Sequence, residues 1–408
     1  MTALPAAVCI ALTLASVGAF LSPPLANIAI ALALVLALAS APLRARLLVV
    51  ARQPLGSAAL ILLAVMTLAM TWAQAPWPMR LAAWWNWRTM LLIVLAAAAF
   101  GDARWKRRYC IWLLAAATAG ATVSFAMWAA HRTIEEGYPG TVFRNHVTQS
   151  MALTAAIVLA AGLATQTVPA RRRWIMGAAA LVCLANLALI SAGRSGQVAL
   201  LVAALASALL MLKGRQRALA LFAVPALAVV VALASPVLQN RFGLVAREAS
   251  SLDCAGPENS TGLRLLLWRT TADLIRERPW FGYGVGGFTP AYEDQVAAHL
   301  RGQENTGWCA RPAHDPHNQF LRVTVEAGVL GLAAFIGLIA GAARQRASPP
   351  YRACAIALLA AWCTTSLFNS HFQTFNEGHM IALLLGVLLA PEPDQAANAA
   401  STASRTSS

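Results

Sequence analysis

Charge is scarce in this chain. Only 12% of its 408 residues are Asp, Glu, Lys or Arg, while 59% are hydrophobic. Soluble domains carry about 25% charged residues, so a water-exposed globular fold is excluded. Acidic residues are the scarcest, 16 against 31 basic ones, for a formal net charge of +15. None of the seven cysteines forms a CxxC and no two histidines stand four apart, which removes the usual zinc patterns. A basic leader is missing too: the first apolar run has no cationic start and a second run follows at once, so it reads as a true span and not as a cleaved signal.

What is present is a succession of apolar runs of bilayer-spanning length. Twelve spans are expected, near 3–21, 24–41, 55–74, 82–100, 109–130, 147–166, 174–192, 196–212, 218–236, 319–341, 353–370 and 378–391. The expected fold class is therefore all-α: a polytopic membrane protein of about twelve helices. Residues 1–236 would hold nine of them, 237–316 one long, partly helical external loop, 317–391 the last three, and 392–408 a disordered tail. About half of the basic residues fall in five short loops, around Arg44–Arg52, Arg104–Arg108, Arg171–Arg173, Lys213–Arg217 and Arg344–Arg352. With twelve spans all five lie on one side, which the positive-inside rule makes cytoplasmic together with both termini. The net charge is thus a topology signal, and nucleic acid is excluded as a partner. Every acidic residue except Asp102, Glu392 and Asp394 falls on or beside the opposite face.

The long loop carries two cysteines, Cys254 and Cys309, and an external pair in an oxidising compartment reads as a disulfide. From Thr261 to Glu277, Leu263, Leu266, Leu267 and Leu274 form a helical stripe, suited to a helix lying on the membrane surface. Next comes Trp280-Phe-Gly282-Tyr-Gly284-Val-Gly286-Gly287-Phe288. It contains GxGxxG without the preceding strand that a dinucleotide site needs. An interfacial turn, or a nest of amides for a phosphate, remains.

Several polar residues stand where they are costly. Arg194, in Ser191-Ala-Gly-Arg-Ser-Gly196, occupies a tight turn between two apolar runs, where arginine calls for an anionic partner or snorkels to headgroups. Arg264 follows the start of the loop helix, where anions bind well; Arg269, five residues on, points elsewhere. Arg88 sits in Trp84-Trp-Asn-Trp87-Arg88. His314 and His317 flank Asp315 and Pro316, which places the helix start there and His317 in its first turn. Two histidines without a third ligand make a poor metal site, and a neutral imidazole is a better general base. Glu326, deeper in the span, needs a partner, and Arg322 at i−4 is nearest. His146 and the group His371, Gln373, Asn376, Glu377 and His379 are further polar candidates that sequence does not rank.

The run His317-Asn318, nine residues, then Gly328-Val-Leu-Gly331 resembles the signature of the O-antigen ligase superfamily, which also holds O-antigen polymerases and O-oligosaccharyltransferases. The Ser-Ala-Gly-Arg194-Ser-Gly turn and the Arg264…Trp268 helix with its Gly-rich sequel look like the family's other segments. The resemblance covers residues 185–345. It implies a metal- and cofactor-independent glycosyltransferase at the periplasmic face of a bacterial inner membrane. The donor would be a glycan on undecaprenyl diphosphate and, for a ligase, the acceptor a hydroxyl of lipid A–core. By this resemblance His317 would be the base, with Arg194 and Arg264 on the diphosphate. Arg88, Arg269, His314, Asn318 and His146 are the expected substrate-binding residues. A polymerase is the alternative, then a protein O-oligosaccharyltransferase. A transporter would carry its charges at mid-membrane in broken helices, whereas here they cluster at one face.

Overall fold

The computed structural model describes residues 3–166, 168–191, 194–234, 260–299 and 307–392. Every regular element among them is helical. In chain order the helices are α1 (Ala3–Leu21), α2 (Pro23–Ala39), α3 (Ala41–Ala51), α4 (Pro54–Ala69), α5 (Trp77–Trp85), α6 (Thr89–Ala99), α7 (Ala103–Ala129), α8 (His146–Ala164), α9 (Ala170–Leu189), α10 (Arg194–Met211), α11 (Gly214–Ala234), α12 (Ser260–Glu277), α13 (Phe288–His299), α14 (Gln319–Arg344), α15 (Pro349–Thr365) and α16 (Phe375–Leu388).

Each of the twelve expected spans contains a helix, but the count by length is smaller. Among the described residues six segments are long and apolar enough to cross a bilayer: α1, Trp77–Ala99, α7, α8, α9 and α14. The pair α2 and α3, bent by 102°, makes a seventh if it is one span; α4, α10 and α16 are apolar but shorter. The 16 residues of α4 rise only about 24 Å at 1.5 Å per residue, below the roughly 30 Å of hydrocarbon. The chain is a multi-pass membrane protein whose helices are less uniform than its hydropathy suggests.

Small residues set the packing. Ala11, Ala15 and Ala19 of α1 and Ala29, Ala33 and Ala37 of α2 are buried, and a Cβ on Gly18 would stand 2.6 Å from the Ala26 amide. In lipid such close backbone approach replaces the hydrophobic drive between helices. Large apolar side chains such as Ile28, Leu48, Trp174 and Phe222 face outward.

The five basic segments meet at one end. Arg46 lies over Gly101. Gln345 donates to Gln53 (2.6 Å). Gly162 near the end of α8 packs on Cys354 of α15 and on Met211 at the end of α10. The Lys106 ammonium is buried; it donates to the Ala390 carbonyl (2.6 Å) and pairs with Glu392 (3.3 Å), which also accepts from Ser348. Glu392, expected in a loose tail, is therefore fastened; residues 393–408 lie outside the described ones.

The far end is shaped by a break in α14. Gly328 adopts φ 63°, ψ −158° inside the helix, a conformation open essentially to glycine alone. The break frees backbone groups, and the segment after α12 satisfies them. Tyr283 and Gly284 amides donate to the Val325 and Glu326 carbonyls (both 2.8 Å), and the Val329 amide donates to Pro279 (2.9 Å). Irregular backbone at this depth is tolerated only when patched by protein in this way.

Candidate active site

The break tilts the first turns of α14 into a cluster of polar groups. Asn318 caps the helix, its Oδ1 accepting from the Phe320 (2.9 Å) and Leu321 (3.1 Å) amides. The helix thus begins at Gln319. His317, expected in the first turn, is instead outside it, in the left-handed region at φ 51°. Asn318, expected to bind substrate, has its side-chain oxygen occupied as the cap. His317 Nδ1 lies 3.7 Å from Asp315 Oδ2, with the imidazole about 43% exposed. Asp315 Oδ1 accepts from Ser370 (2.6 Å). His314 does not share a helix face with His317. Its ring meets Thr289 of α13 (3.3 Å) and its carbonyl accepts from the Arg322 guanidinium.

Glu326 is fully buried and its carboxylate is surrounded by donors. Oε1 pairs with Arg322 (2.8 Å), the i−4 partner expected from sequence, and accepts from the Gly286 amide (3.1 Å); Oε2 faces Gln373 (3.4 Å). The Gly-rich segment is neither a dinucleotide loop nor a phosphate nest. Its amides at Gly282, Tyr283, Gly284, Val285 and Gly287 bond to carbonyls, and the one aimed at an anion holds Glu326. Its glycines admit close backbone contact: a Cβ on Gly284 would stand 2.3 Å from Ala73 Cα. Tyr283 donates to Glu277 (2.6 Å); burial first, then that bond, pushes its phenol up to about 12. The stripe on α12 is real, but it packs Leu267 and Leu274 on Tyr283, Phe288 and Tyr292 rather than on the membrane.

The loop between α15 and α16 joins these parts. Asn369 donates to Ser195 (3.1 Å), next to Arg194 at the start of α10. Ser370 holds Asp315, and the Phe372 amide donates to Gln319 Oε1 (3.0 Å). At the foot of the loop Glu377 accepts from Thr374 (2.6 Å) and from Thr148 of α8 (2.5 Å). His371 is 1% exposed and neither ring nitrogen has a hydrogen-bond partner. Burial lowers its pKa below the ordinary 6.5, against the opposing fields of Glu377 and Asp315. An unpaired buried polar group costs roughly 1–3 kcal/mol.

The other expected residues are dispersed. Arg88 is engaged by the protein: it donates to the Trp85 carbonyl (2.6 Å), meets His379 Nε2 (3.3 Å) and stacks on Trp85. His146 is tied through Nδ1 to Glu135 (3.0 Å) and stacked on Tyr138 at 4.0 Å. On α12, Arg264 is half-buried and Arg269 exposed, in keeping with their different directions. Cys309 is disulfide-bonded, whereas Cys9, Cys110, Cys183, Cys354 and Cys363 are free; the expected partner, Cys254, lies outside the described residues. Among the described residues no group of three His, Cys, Asp or Glu could hold a metal. Sequence reasoning missed Glu135, Asn369 and Ser370. The signal for the last two was a polar run, Thr364 to Glu377, in an otherwise apolar stretch.

Fold and cluster together define an all-helical membrane protein with a histidine-bearing polar site where a broken helix meets three loops. Over residues 179–336 the chain matches the model of the O-antigen ligase family. Three rickettsial proteins, each provisionally named a polysaccharide ligase, are similar. One from Rickettsia conorii is 28% identical over 102 residues, 24% of this chain and 24% of the relative. One from Rickettsia bellii is 33% identical over 81 residues, 20% and 19% of the two chains, and one from Rickettsia felis matches as the first does. The matches span about a quarter of these relatives' length. The matched family segment holds Arg194, Arg264, His317 and the Gly328 break.

Proposed function

We propose that this chain is a polysaccharide ligase that moves a glycan from undecaprenyl diphosphate to a hydroxyl of lipid A–core, at the periplasmic face of the inner membrane. His317 takes the proton of the acceptor hydroxyl on Nε2, its Nδ1–H directed at Asp315. The acceptor oxygen attacks the anomeric carbon, and the carbon–oxygen bond to the diphosphate breaks with its electrons passing to the departing undecaprenyl diphosphate. Arg194 and Arg264 bind that diphosphate, where fixed guanidinium groups help most as negative charge builds up. The donor is already activated, so no cofactor is required. With the site facing the periplasm, the basic end of the bundle faces the cytoplasm.

One observation carries this reading. The α15–α16 loop holds the Arg194 turn through Asn369–Ser195 and the Asp315–His317 pair through Ser370, so the proposed anion-binding and base positions share one scaffold. The test is transfer by the purified chain from lipid-linked O-antigen to purified lipid A–core. The intact chain is expected to extend the core. The His317→Ala chain is expected to lose about 10²–10⁴-fold in rate while still binding donor. Lengthening of the lipid-linked glycan instead would make it a polymerase. An active His317→Ala beside an inactive His314→Ala would refute the assignment of the base.

A further inference from the structure

His371 is the least economical side chain near the site. It is sealed from solvent, yet both ring nitrogens are unpaired. It does not stand alone. Gln319 Nε2 and Ser366 Oγ are also buried and unpaired, and the backbone joins the three: the Gln319 amide donates to the Ser366 carbonyl (2.8 Å) and Gln319 Oε1 accepts from the Phe372 amide. A polar seam with unused hydrogen-bonding capacity therefore runs between the first turn of α14 and the α15–α16 loop. The imidazole is within electrostatic reach of Asp315 on the segment before α14 and Glu377 on α16. The other charged groups on α14's first turns, Arg322 and Glu326, are paired with each other. Glu377 already has two hydroxyl donors. Asp315 has one, Ser370, and its remaining oxygen is the one facing His317.

Natural cores leave few buried polar groups unpaired, and those they keep tend to mark function. We infer that His371 is a positioning residue: its ring pairs with Asp315 when the site is loaded, and so fixes the carboxylate that orients His317. This rests on the reading of His317 as the base. Ser370, the neighbour of His371, already couples the two segments through its bond to Asp315.

The test compares His371→Leu and His371→Asn with the intact chain in lipid nanodiscs. Leu fills the space without polar atoms, so the melting temperature is expected to hold or rise. With Leu, kcat is expected to fall by about 10–100-fold, the scale of a misplaced catalytic group, while KM for the donor is unchanged. Asn, which can still donate to Asp315, is expected to recover part of kcat. Titration of the His317 imidazole by nitrogen-15 NMR, with undecaprenyl diphosphate bound, is the readout that needs no turnover. Its pKa is expected to differ between the intact chain and the Leu chain and to return toward the intact value with Asn. If the intact chain transfers no glycan, the ligase reading fails and the His317 titration alone decides the positioning role. An unchanged titration with Leu overturns the inference, as does a kcat that merely tracks a lower melting temperature.

Discussion

Gly328→Ala is the sharpest test of how the site is built. At φ 63°, ψ −158° an L-residue is strained by about 1–3 kcal/mol. The added Cβ would also fall 2.1 Å from the Trp280 carbonyl oxygen and 2.5 Å from the Phe281 amide. Both neighbours are backbone, so neither can swing aside. Relief requires the segment 279–284 to withdraw, which breaks the bonds from Tyr283, Gly284 and Val329, each contributing about 0.5–1.5 kcal/mol. The total, on the order of 3–7 kcal/mol, is a large part of the roughly 5–15 kcal/mol that holds a typical domain together. It falls where Gly286 meets Glu326 and Arg322 meets His314.

Thermal unfolding of the detergent-solubilised chain, followed by tryptophan fluorescence, reads this directly. Gly337→Ala, in the same helix, is the control. Nothing lies within 4 Å of a Cβ there, so the exchange is expected to be neutral or stabilising by up to about 1 kcal/mol. If the two variants melt alike, the break at Gly328 is not fastened as described.

Three further outcomes are expected. Glu326→Ala leaves Arg322 charged and buried and should cost about 3–5 kcal/mol in chemical denaturation, whereas Glu326→Gln, which keeps an acceptor for Gly286, should cost less; equal losses would contradict the paired arrangement. Arg194→Lys and Arg264→Lys keep charge but lose the two-pronged geometry, so transfer should drop steeply in both, and near-normal rates would favour headgroup contacts instead. Burial lowers the His371 pKa, so the unfolded chain takes up a proton that the folded chain resists once pH falls below about 6.5. Stability is then present above that pH and lost below it. His371→Leu should flatten that acid-side fall in melting temperature, and an unchanged slope between pH 7.5 and 5.5 would count against a neutral, buried imidazole.

Much of the fold was legible in the sequence because membrane helices declare themselves locally. Each expected span contains a helix, the leucine stripe on α12 sits at helical spacing, and Arg322–Glu326 lies at i,i+4. Chain length alone did not reveal where helices stop short or bend, as at Ser40, because a hydropathy window averages across such breaks. The spacing of Gly328 and Gly331 was visible, but its meaning was not. Gly331 packs on Ala327 and Val323 within the helix, while Gly328 breaks it, and the break makes sense only with residues 279–284 in place. The links that assemble the site, Ser195–Asn369 and Asp315–Ser370, join positions 174 and 55 residues apart, and no periodicity announces such pairs.

The chemistry can also be narrowed by asking which polar groups still have capacity to spare. Glu326 looks at first like the better base, a carboxylate fully buried within α14. Its oxygens, however, face Arg322, the Gly286 amide and Gln373, which leave no room for an acceptor hydroxyl. Glu377 is occupied by Thr148 and Thr374 in the same way. His146 has a carboxylate partner, but its ring is covered on one face by Tyr138. His317 is half-exposed, has a carboxylate on one nitrogen, and is set by an unfavoured backbone angle and by the Asn318 cap at the mouth of α14. The anchored carboxylates build the frame, and under the proposed function His317 is the imidazole left to take and return a proton.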